Sequence, residues 1–392
     1  MDRTYNVFVD NGLFVLANYL DKEIKDITIA DTINSTSHFA QLFDKAYQSE
    51  KYRKVAFASF QNSAYTQTPT KEEKTKENKV LKQYNQILDN LGDGDACTIC
   101  GKDTVVNYDK DLISAISKSI IPRLSSNTFF NFSNNLKKLN VCPTCLYLGM
   151  LSFFNISVIG GQCVLFNSDD DEYIYDYTYV HDIEFNRDII AEVKKDKEKY
   201  SQVIEQQIMN LINNNKIYDG YINMTIFYNS SQGESFNNDI LTKKDLRFLK
   251  ELQSVSMLSE FRQQGLFYHL LKNNLQKNYL SYVFDLKENK LKISKELFEL
   301  IEKRYNRLKK DKLELIKRVS KQVYNNISKD ITKDIKGIDK SGQFEKMVMT
   351  WIEEIPNLMT TEEFDSLCET MEFSKVKNRM YVELINLKNE GE

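Results

Sequence analysis

Two short stretches, Cys97-Thr98-Ile99-Cys100-Gly101-Lys102 and Cys142-Pro143-Thr144-Cys145, decide how the first half of this 392-residue chain is organised. Two residues between the cysteines of each pair allow both sulfurs to face one ion across a tight turn. Gly101 suits the positive φ that such a turn often requires. The two pairs together predict a closed, tetrahedral four-cysteine site for structural Zn²⁺, with four ligands: Cys97, Cys100, Cys142 and Cys145.

The long separation between the two cysteine pairs predicts a subdomain at about 92–150 that the metal stabilises. Two alternatives stay open for the thiols. One is redox chemistry, since a CPxC pair before a predicted helix is typical of dithiol oxidoreductases. The other is thiols with no common role. Iron stays an alternative to zinc because thiolates bind both metals. A catalytic metal is not expected, since four thiolates leave no open position.

The pattern of apolar residues predicts an α+β fold. Strands are predicted at residues 5–9, 54–60, 163–166 and 221–228. From Leu241 onwards apolar residues recur at helical spacing, and no proline interrupts residues 145–355. We therefore expect a mixed N-terminal domain over residues 1–240 with the zinc-binding subdomain embedded in it. A C-terminal α-helical bundle over residues 241–392 follows.

The charge is unevenly distributed along the chain. The formal net charge is −3, yet residues 241–340 carry 24 Lys and Arg against 13 Asp and Glu. At 3.6 residues per turn, Lys303, Arg307, Lys310 and Lys317 share one flank opposite the apolar stripe, which predicts contact with a nucleic-acid backbone. The alternative is an ordinary solvated helix face with salt bridges. The candidate nucleic-acid-binding residues are Lys303, Arg304, Arg307, Lys309, Lys310, Lys317 and Arg318.

No sequence motif argues for catalysis. The chain has no P-loop, dinucleotide-binding turn, nucleophile elbow or HExxH helix. The acidic run at residues 169–172 offers one candidate Mg²⁺ site, and with it the alternative of a metal-dependent nuclease. Residues 61–79 are polar and predict a mobile surface loop. With no secretory leader and no apolar run of about 20 residues, we expect a soluble, cytoplasmic protein that does not enter a membrane.

These residues together resemble the CRISPR-associated CXXC–CXXC family, the large subunit of type I-B Cascade. Residues 7–13 (VFVDNGL), followed by Leu16, are similar to the family's FVDxGLxxL opening. The pairs Cys97/Cys100 and Cys142/Cys145 match the motif for which the family is named, including the glycine after the first pair. The predicted α+β front and helical rear match the plan of the large subunit.

The resemblance implies a non-catalytic subunit that recognises a protospacer-adjacent motif (PAM) in double-stranded target DNA and stabilises the R-loop. Its implied partners are the crRNA-bearing backbone and end subunits of Cascade and a helicase-nuclease. Amide side chains suit base edges, so Gln61, Asn62 and Gln67 are candidates for PAM contact. In related systems the helical rear is also made separately as a small subunit, and Met257 is the candidate internal start here. The alternative function is an independent zinc-ribbon nucleic-acid-binding protein, such as a transcription accessory factor.

Overall fold

A computed structural model describes residues 1–60, 63–89, 95–105, 141–159, 162–190, 220–230, 233–285, 290–305, 308–327 and 331–391. In these ranges the chain is mostly helical and contains one four-stranded and two two-stranded antiparallel sheets. This combination fits the predicted α+β class. The chain forms two compact units, Met1–Lys250 and Glu251–Glu392.

The first unit combines long helices with most of the strands. Its described helices are α1 (Val7–Leu20), α2 (Ile29–Tyr47), α3 (Glu50–Ser59), α4 (Lys76–Leu88), α5 (Pro143–Leu151) and α6 (Asp171–Ile190), with 3-10 turns at Ile24–Asp26 and Ser152–Asn155. Its strands are β1 (Asp95–Ala96), β2 (Asp103–Val105), β3 (Ser157–Ile159), β4 (Gln162–Ser168), β5 (Ile222–Ser230) and β6 (Gly233–Leu241). Helix α7 (Lys243–Ser254) crosses the boundary between the units. The unit ends at Lys250, whereas the sequence placed the boundary at 240/241.

Helix α1 lies at the centre of the first unit. Every residue from Phe8 to Ala17 is buried, so this helix is enclosed on all sides instead of presenting one apolar stripe. It packs against α5, α6, β4 and the 3-10 turn Ser152–Asn155. The Asn6 side chain caps its N-terminus by accepting hydrogen bonds from the backbone N–H groups of Phe8 and Val9.

Two of the predicted strands are helices. Residues 5–9 were predicted to be extended, but α1 begins at Val7 because Asn6 satisfies the first free N–H groups. Residues 54–60 were also predicted to be a strand, but they belong largely to α3. Its buried residues Tyr52, Val55 and Ala56 are spaced three and four apart, which is the period of a helix face. In both places a short apolar run was too brief to distinguish the two periods.

The sheet confirms the remaining strand predictions. Strands β3, β4, β5 and β6 pair in that order, each antiparallel to its neighbour. Cys163 on β4 lies opposite Phe227 on β5, and Ile222 on β5 lies opposite Leu241 on β6. Since Leu241 belongs to this sheet, the first unit extends past residue 240.

The second unit is helical apart from one short hairpin among its described residues. Its helices are α8 (Leu258–Gln263), α9 (Leu266–Leu271), α10 (Asn274–Asn278), α11 (Leu280–Val283), α12 (Lys295–Tyr305), α13 (Lys310–Asn326), α14 (Ile331–Lys336), α15 (Ser341–Glu354), α16 (Thr361–Leu367) and α17 (Phe373–Gly391). The hairpin pairs β7 (Phe284–Asp285) with β8 (Lys290–Leu291). Helix α17 packs against α13, α14 and α15. Helical character is therefore confirmed, while an antiparallel bundle over 241–392 stays a prediction.

Ion pairs made by two buried cations, Arg379 and Lys312, join elements of the second unit. Arg379 on α17 pairs with Glu302 on α12 and with Glu383 on its own helix. Lys312 on α13 pairs with Glu369 and Glu372, which precede α17. Each cation has two acidic partners, so the pairs link α12 to α17 and link α13 to the segment that precedes α17.

Helix α6 carries a buried histidine that predicts a pH-dependent stability. His181 lies between the rings of Tyr177 and Phe185, and burial lowers its pKa from 6.5 to about 4. Between these values the unfolded chain binds a proton at this position and the folded chain does not. The stabilisation is therefore complete above pH 6.5 and is lost as the pH falls towards 4.

We expect His181→Phe, which keeps an aromatic ring among its aromatic neighbours, to flatten this pH dependence. Between pH 7 and pH 4 the free energy of unfolding of the first unit is expected to fall by about 3 kcal/mol more in the unchanged protein than in the variant. Hydrogen exchange of the α6 amides measures the first unit. The fluorescence of Trp351, the single tryptophan, follows the second unit as a reference. Equal pH slopes for the two proteins at the α6 amides contradict the prediction.

Candidate metal centre

The first cysteine pair lies in the turn of the β1–β2 hairpin. The Cys97 backbone N–H donates to the Lys102 carbonyl oxygen at 2.9 Å, and the Gly101 N–H donates to the Cys97 carbonyl oxygen at 2.8 Å. Gly101 has a φ of +71°, the left-handed conformation that the sequence predicted for this position. These contacts close the loop and direct the side chains of Cys97 and Cys100 to the same side.

The second cysteine pair forms the N-terminus of α5. Cys142 is the N-cap residue and Pro143 occupies the first turn, where its missing N–H costs nothing. The Cys145 N–H donates to Cys142 Sγ at 3.4 Å. The sequence predicted a helix directly after Cys145, but the helix begins at Pro143 and includes Cys145 in its first turn.

The two pairs meet, and their four sulfur atoms all lie within 4.8 Å of one another. Cys100 Sγ and Cys142 Sγ are 3.7 Å apart, and the Cys142 N–H donates to Cys97 Sγ at 3.3 Å. A tetrahedral ion with metal–sulfur bonds of about 2.3 Å requires sulfur–sulfur distances of about 3.8 Å. The arrangement is therefore compatible with a metal site, and it is the one cluster of potential ligands within the described parts of the chain.

Hydrogen bonds among the four thiols lower the pKa of two of them and raise the pKa of Cys145. The Cys142 and Cys145 thiols donate to Cys97 Sγ and hold the pKa of Cys97 well below its usual range. A hydrogen bond from Cys145 lowers the pKa of Cys100 to about 7. Conversely, its hydrogen bonds to the other three sulfurs raise the pKa of Cys145. Without a metal the four thiols share protons, so binding a metal must release protons and becomes tighter as the pH rises.

A close contact between helices fixes the second pair to the core. A Cβ atom added at Gly12 of α1 would lie 1.7 Å from the Leu148 carbonyl oxygen of α5. Only a glycine allows the two backbones this approach. Helix α5 is buried along nearly its whole length, so the thiols at its N-terminus have a rigid support. The sequence offered no indication that Gly12 serves this packing.

The neighbours of Gly12 in the opening segment are buried polar residues with structural partners. The Asp10 carboxylate accepts hydrogen bonds from Arg3, from the Thr4 hydroxyl and from the backbone N–H groups of Thr4 and Tyr5. The Asn11 amide donates to the carbonyl oxygen of Phe166 in β4. Because these groups are fully buried and satisfied from within the protein, they tie the N-terminal segment and the sheet to α1.

At least three of the four carboxylates in the acidic run at residues 169–172 have partners within the protein. Asp169 accepts from the Tyr221 N–H, Asp170 accepts from the Tyr173 N–H near the start of α6, and Asp171 pairs with Arg3. No group of three carboxylates converges there among the residues that the structure covers. These carboxylates accept hydrogen bonds from backbone N–H groups or pair with Arg3, so the structure gives no support to a magnesium site.

The basic segment does not form one continuous helix. Helix α12 ends at Tyr305 and α13 begins at Lys310, so the predicted single flank through Lys303, Lys310 and Lys317 is wrong. No proline or glycine marks this break in the sequence. Arg307 lies outside the described residues.

The other candidate nucleic-acid-binding residues in this segment differ in whether their side chains are paired within the protein or exposed. Lys303 pairs with Glu251, the Arg304 guanidinium lies 5.3 Å from the Tyr305 ring, and Arg318 pairs with Glu363. Lys309 and Lys310 are exposed at the start of α13, and Lys317 is exposed beside Glu314 at 3.8 Å. Lys321 was not among the residues predicted from the sequence. It lies one turn after Lys317 on the same exposed face and extends the row towards Tyr324.

The segment expected to be a mobile loop has a defined conformation where it is described. Gln61 and Asn62 lie outside the described residues. Beyond them, the Lys76 amine donates to the carbonyl oxygens of Ala64 and Gln67 at 3.2 and 2.6 Å. Tyr65 is fully buried, while Gln67 is exposed. The expectation of mobility does not fit residues 63–79, because buried side chains and hydrogen bonds to α4 fix them.

Comparison with protein-family models, curated proteins and solved structures finds no match for this chain. Among the described helices, none is both long and apolar enough to cross a membrane.

Proposed function

We propose that the chain is the non-catalytic large subunit of a type I-B Cascade complex and that its four clustered cysteines hold one Zn²⁺. One observation carries the proposal. The opening segment and the cysteine pairs, on which the resemblance rests, belong to one structural core, where Gly12 lies against the Leu148 carbonyl oxygen of α5. A shared core explains why both motifs occur in one chain.

The proposal of zinc is supported by the donor set. Four thiolates at tetrahedral spacing leave no position for a substrate, which is typical of a structural ion. Elemental analysis of the purified chain is expected to give equimolar zinc. A visible absorption band with equimolar iron supports the alternative metal instead.

The proposed contact with nucleic acid is narrowed to the exposed row of α13: Lys310, Lys317 and Lys321. We expect Lys310→Ala combined with Lys321→Ala to weaken DNA binding about tenfold. The slope of the logarithm of the binding constant against the logarithm of the salt concentration is expected to become shallower by about 0.9 for each phosphate that is no longer neutralised. The matched control, Lys346→Ala with Lys375→Ala, removes two exposed charges from other helices. Anisotropy titrations with duplexes of unrelated sequence at several salt concentrations measure both quantities. Equal effects of the two pairs indicate that the α13 row has no special role.

We propose that the loop carrying Gln61, Asn62 and Gln67 reads the PAM. The anchored conformation of residues 63–75 favours base contact, because a fixed loop loses little conformational freedom on binding. In the assembled complex, Gln67→Ala is expected to reduce discrimination between duplexes with different PAMs by about 1–3 kcal/mol, whereas Thr68→Ala is not. If alanine substitution of all three residues leaves discrimination between PAMs unchanged, this loop does not read the PAM.

The subunit is proposed to act in the cytoplasm beside the crRNA-bearing backbone and end subunits, on double-stranded target DNA, and to recruit a helicase-nuclease. Affinity purification from the native host, with identification of the co-purifying proteins and sequencing of the bound RNA, tests this. Repeat-derived guide RNAs with backbone subunits are the expected result. A chain that emerges alone, or with RNA polymerase, contradicts the Cascade proposal and favours the independent zinc-ribbon nucleic-acid-binding protein.

A separate small subunit starting at Met257 is part of the proposal. Met257 lies between α7 and α8, so a product of residues 257–392 keeps every helix that lies wholly within the second unit. Replacing the Met257 codon by one that cannot start translation is expected to abolish a short band on a blot against the C-terminus. Persistence of that band rules out this start.

A further inference from the structure

We propose that Cys100 is the point at which peroxide attacks the cysteine cluster, and that a disulfide between Cys100 and Cys142 then releases the metal. This inference rests on the zinc part of the proposed function and not on its Cascade part. It makes the cluster a modification site with hydrogen peroxide as the reactant. The cluster thereby couples the fold of the first unit to the redox state of its surroundings.

Exposure singles out Cys100. Cys97, Cys142 and Cys145 are each only 2% exposed, whereas Cys100 is partly exposed. Its neighbour Gly101 is exposed, and a Cβ atom added there would meet no atom within 4 Å. We therefore expect a small oxidant to reach Cys100 before the three buried cysteines of the cluster.

The partner thiol is already in place. Cys142 Sγ lies 3.7 Å from Cys100 Sγ, and a disulfide requires about 2.05 Å between the sulfurs. The two cysteines belong to different halves of the site. The hairpin that carries Cys100 is short, since β1 and β2 contribute two and three residues. Movement of this turn closes the distance without displacing the buried helix α5.

The reaction balances with peroxide as the only oxidant. The Cys100 thiolate attacks one peroxide oxygen, the O–O bond breaks, and hydroxide leaves, which gives a sulfenic acid on Cys100. The Cys142 thiolate then attacks that sulfur and displaces a second hydroxide, so two thiolates lose two electrons and one peroxide gains them. Only Cys97 and Cys145 remain as thiolates, and two ligands do not retain the ion of a four-ligand site.

Cys368 provides an internal comparison. It is also partly exposed, but it stands apart from the cluster, and burial together with Glu345 and Asp365 raises its pKa to about 12. A thiol that stays protonated reacts slowly with peroxide, since the thiolate is the nucleophile. We therefore expect Cys368 to react slowly with peroxide although it is partly exposed.

The test uses the full-length, zinc-loaded chain, whose metal content is measured before any oxidant is added. A chain that contains no zinc fails the zinc proposal itself, which separates that failure from failure of this inference. The protein receives short pulses of hydrogen peroxide with dimedone, which traps sulfenic acids. Mass spectrometry of peptides then ranks the six cysteines. We expect Cys100 to be labelled about tenfold faster than any other, Cys368 included.

Without dimedone, a cross-linked peptide containing Cys100 and Cys142 is expected to accumulate in step with zinc release to a chromogenic chelator. A thiol reductant with added zinc restores the starting state. The Cys368→Ser variant is expected to release zinc at the unchanged rate. Faster labelling of any other cysteine overturns the inference, as does zinc release without the Cys100–Cys142 peptide. Because the labelling order is read from the unchanged protein, the test does not depend on a Cys100 variant that folds.

Discussion

Replacing Gly12 by alanine is expected to separate α1 from α5 and to destabilise the first unit by about 3 kcal/mol or more. The added Cβ would lie 1.7 Å from the oxygen and 2.5 Å from the carbon of the Leu148 carbonyl group. Both are backbone atoms inside a buried helix, so no side-chain rotation relieves the overlap. Alanine is the better helix former by about 1 kcal/mol, which offsets only a fraction of this cost.

Hydrogen exchange followed by mass spectrometry measures the effect of Gly12→Ala where it arises. We expect faster exchange in α1 and α5 and unchanged exchange in α13 and α17 of the second unit. Zinc affinity is expected to fall as well, since displacement of α5 moves the thiols of Cys142 and Cys145. The matched control is Gly342→Ala on α15, where an added Cβ meets nothing within 4 Å and stability is expected to rise by about 1 kcal/mol. Equal exchange in α1 for Gly12→Ala and the unchanged chain contradicts this packing.

The cluster of four cysteines is the part of the molecule that the sequence predicted most fully. Each CxxC pair is a local structure, because two intervening residues and Gly101 or Pro143 define the turn without reference to the rest of the chain. That Cys97 and Cys142 face each other is a long-range fact, but the tetrahedral valence of the expected ion required it. Strand β5 was also predicted, since nine extended residues carry enough pattern to identify a strand.

The central helix α1 was not predicted in full because its burial depends on the whole fold. A helix enclosed on all sides lacks the polar face that makes a helix recognisable in sequence. The contact of Gly12 with Leu148 and the bond of Asn11 to Phe166 join distant parts of the chain. Nothing within the opening segment distinguishes a glycine needed for close packing from a glycine in a turn.

The basic face shows a different limit of sequence reasoning. Periodicity placed Lys303, Lys310 and Lys317 on one flank because it assumed an unbroken helix. Helix α12 ends at Tyr305 and α13 begins at Lys310, and no proline or glycine in the sequence indicates this break. Pairing also changed the assignment, since Arg318 is engaged by Glu363. The exposed row on α13 no longer includes Lys303, which lies on α12, and it gains Lys321 beyond Lys317.

Removal of the metal is expected to unfold the β1–β2 hairpin while leaving α5 in place. The hairpin has only two short strands and little core of its own, so its order depends on the ion. Helix α5 is held independently by its buried contacts with α1. A strong chelator is therefore expected to bring the amides of residues 95–105 to nearly full exchange, with continued protection of residues 146–151. Because metal binding releases protons from the thiols, the affinity of the chain for zinc is expected to fall as the pH falls from 8 to 6.

Cys142→Ser tests without a chelator whether the hairpin depends on the metal. It also separates the two roles of Cys142, as a metal ligand and as the N-cap of α5. Serine is a preferred N-cap residue, so its hydroxyl keeps the hydrogen bond that Cys142 Sγ now accepts from the Cys145 N–H. The variant thus loses a metal ligand and retains the start of α5. We expect zinc content to fall at least tenfold and the hairpin to exchange as it does with chelator, while Cys368→Ser keeps its zinc and its protection. A Cys142→Ser protein that retains equimolar zinc and a protected hairpin would mean that the four thiols are not one site, because a three-thiolate site binds the ion far more weakly.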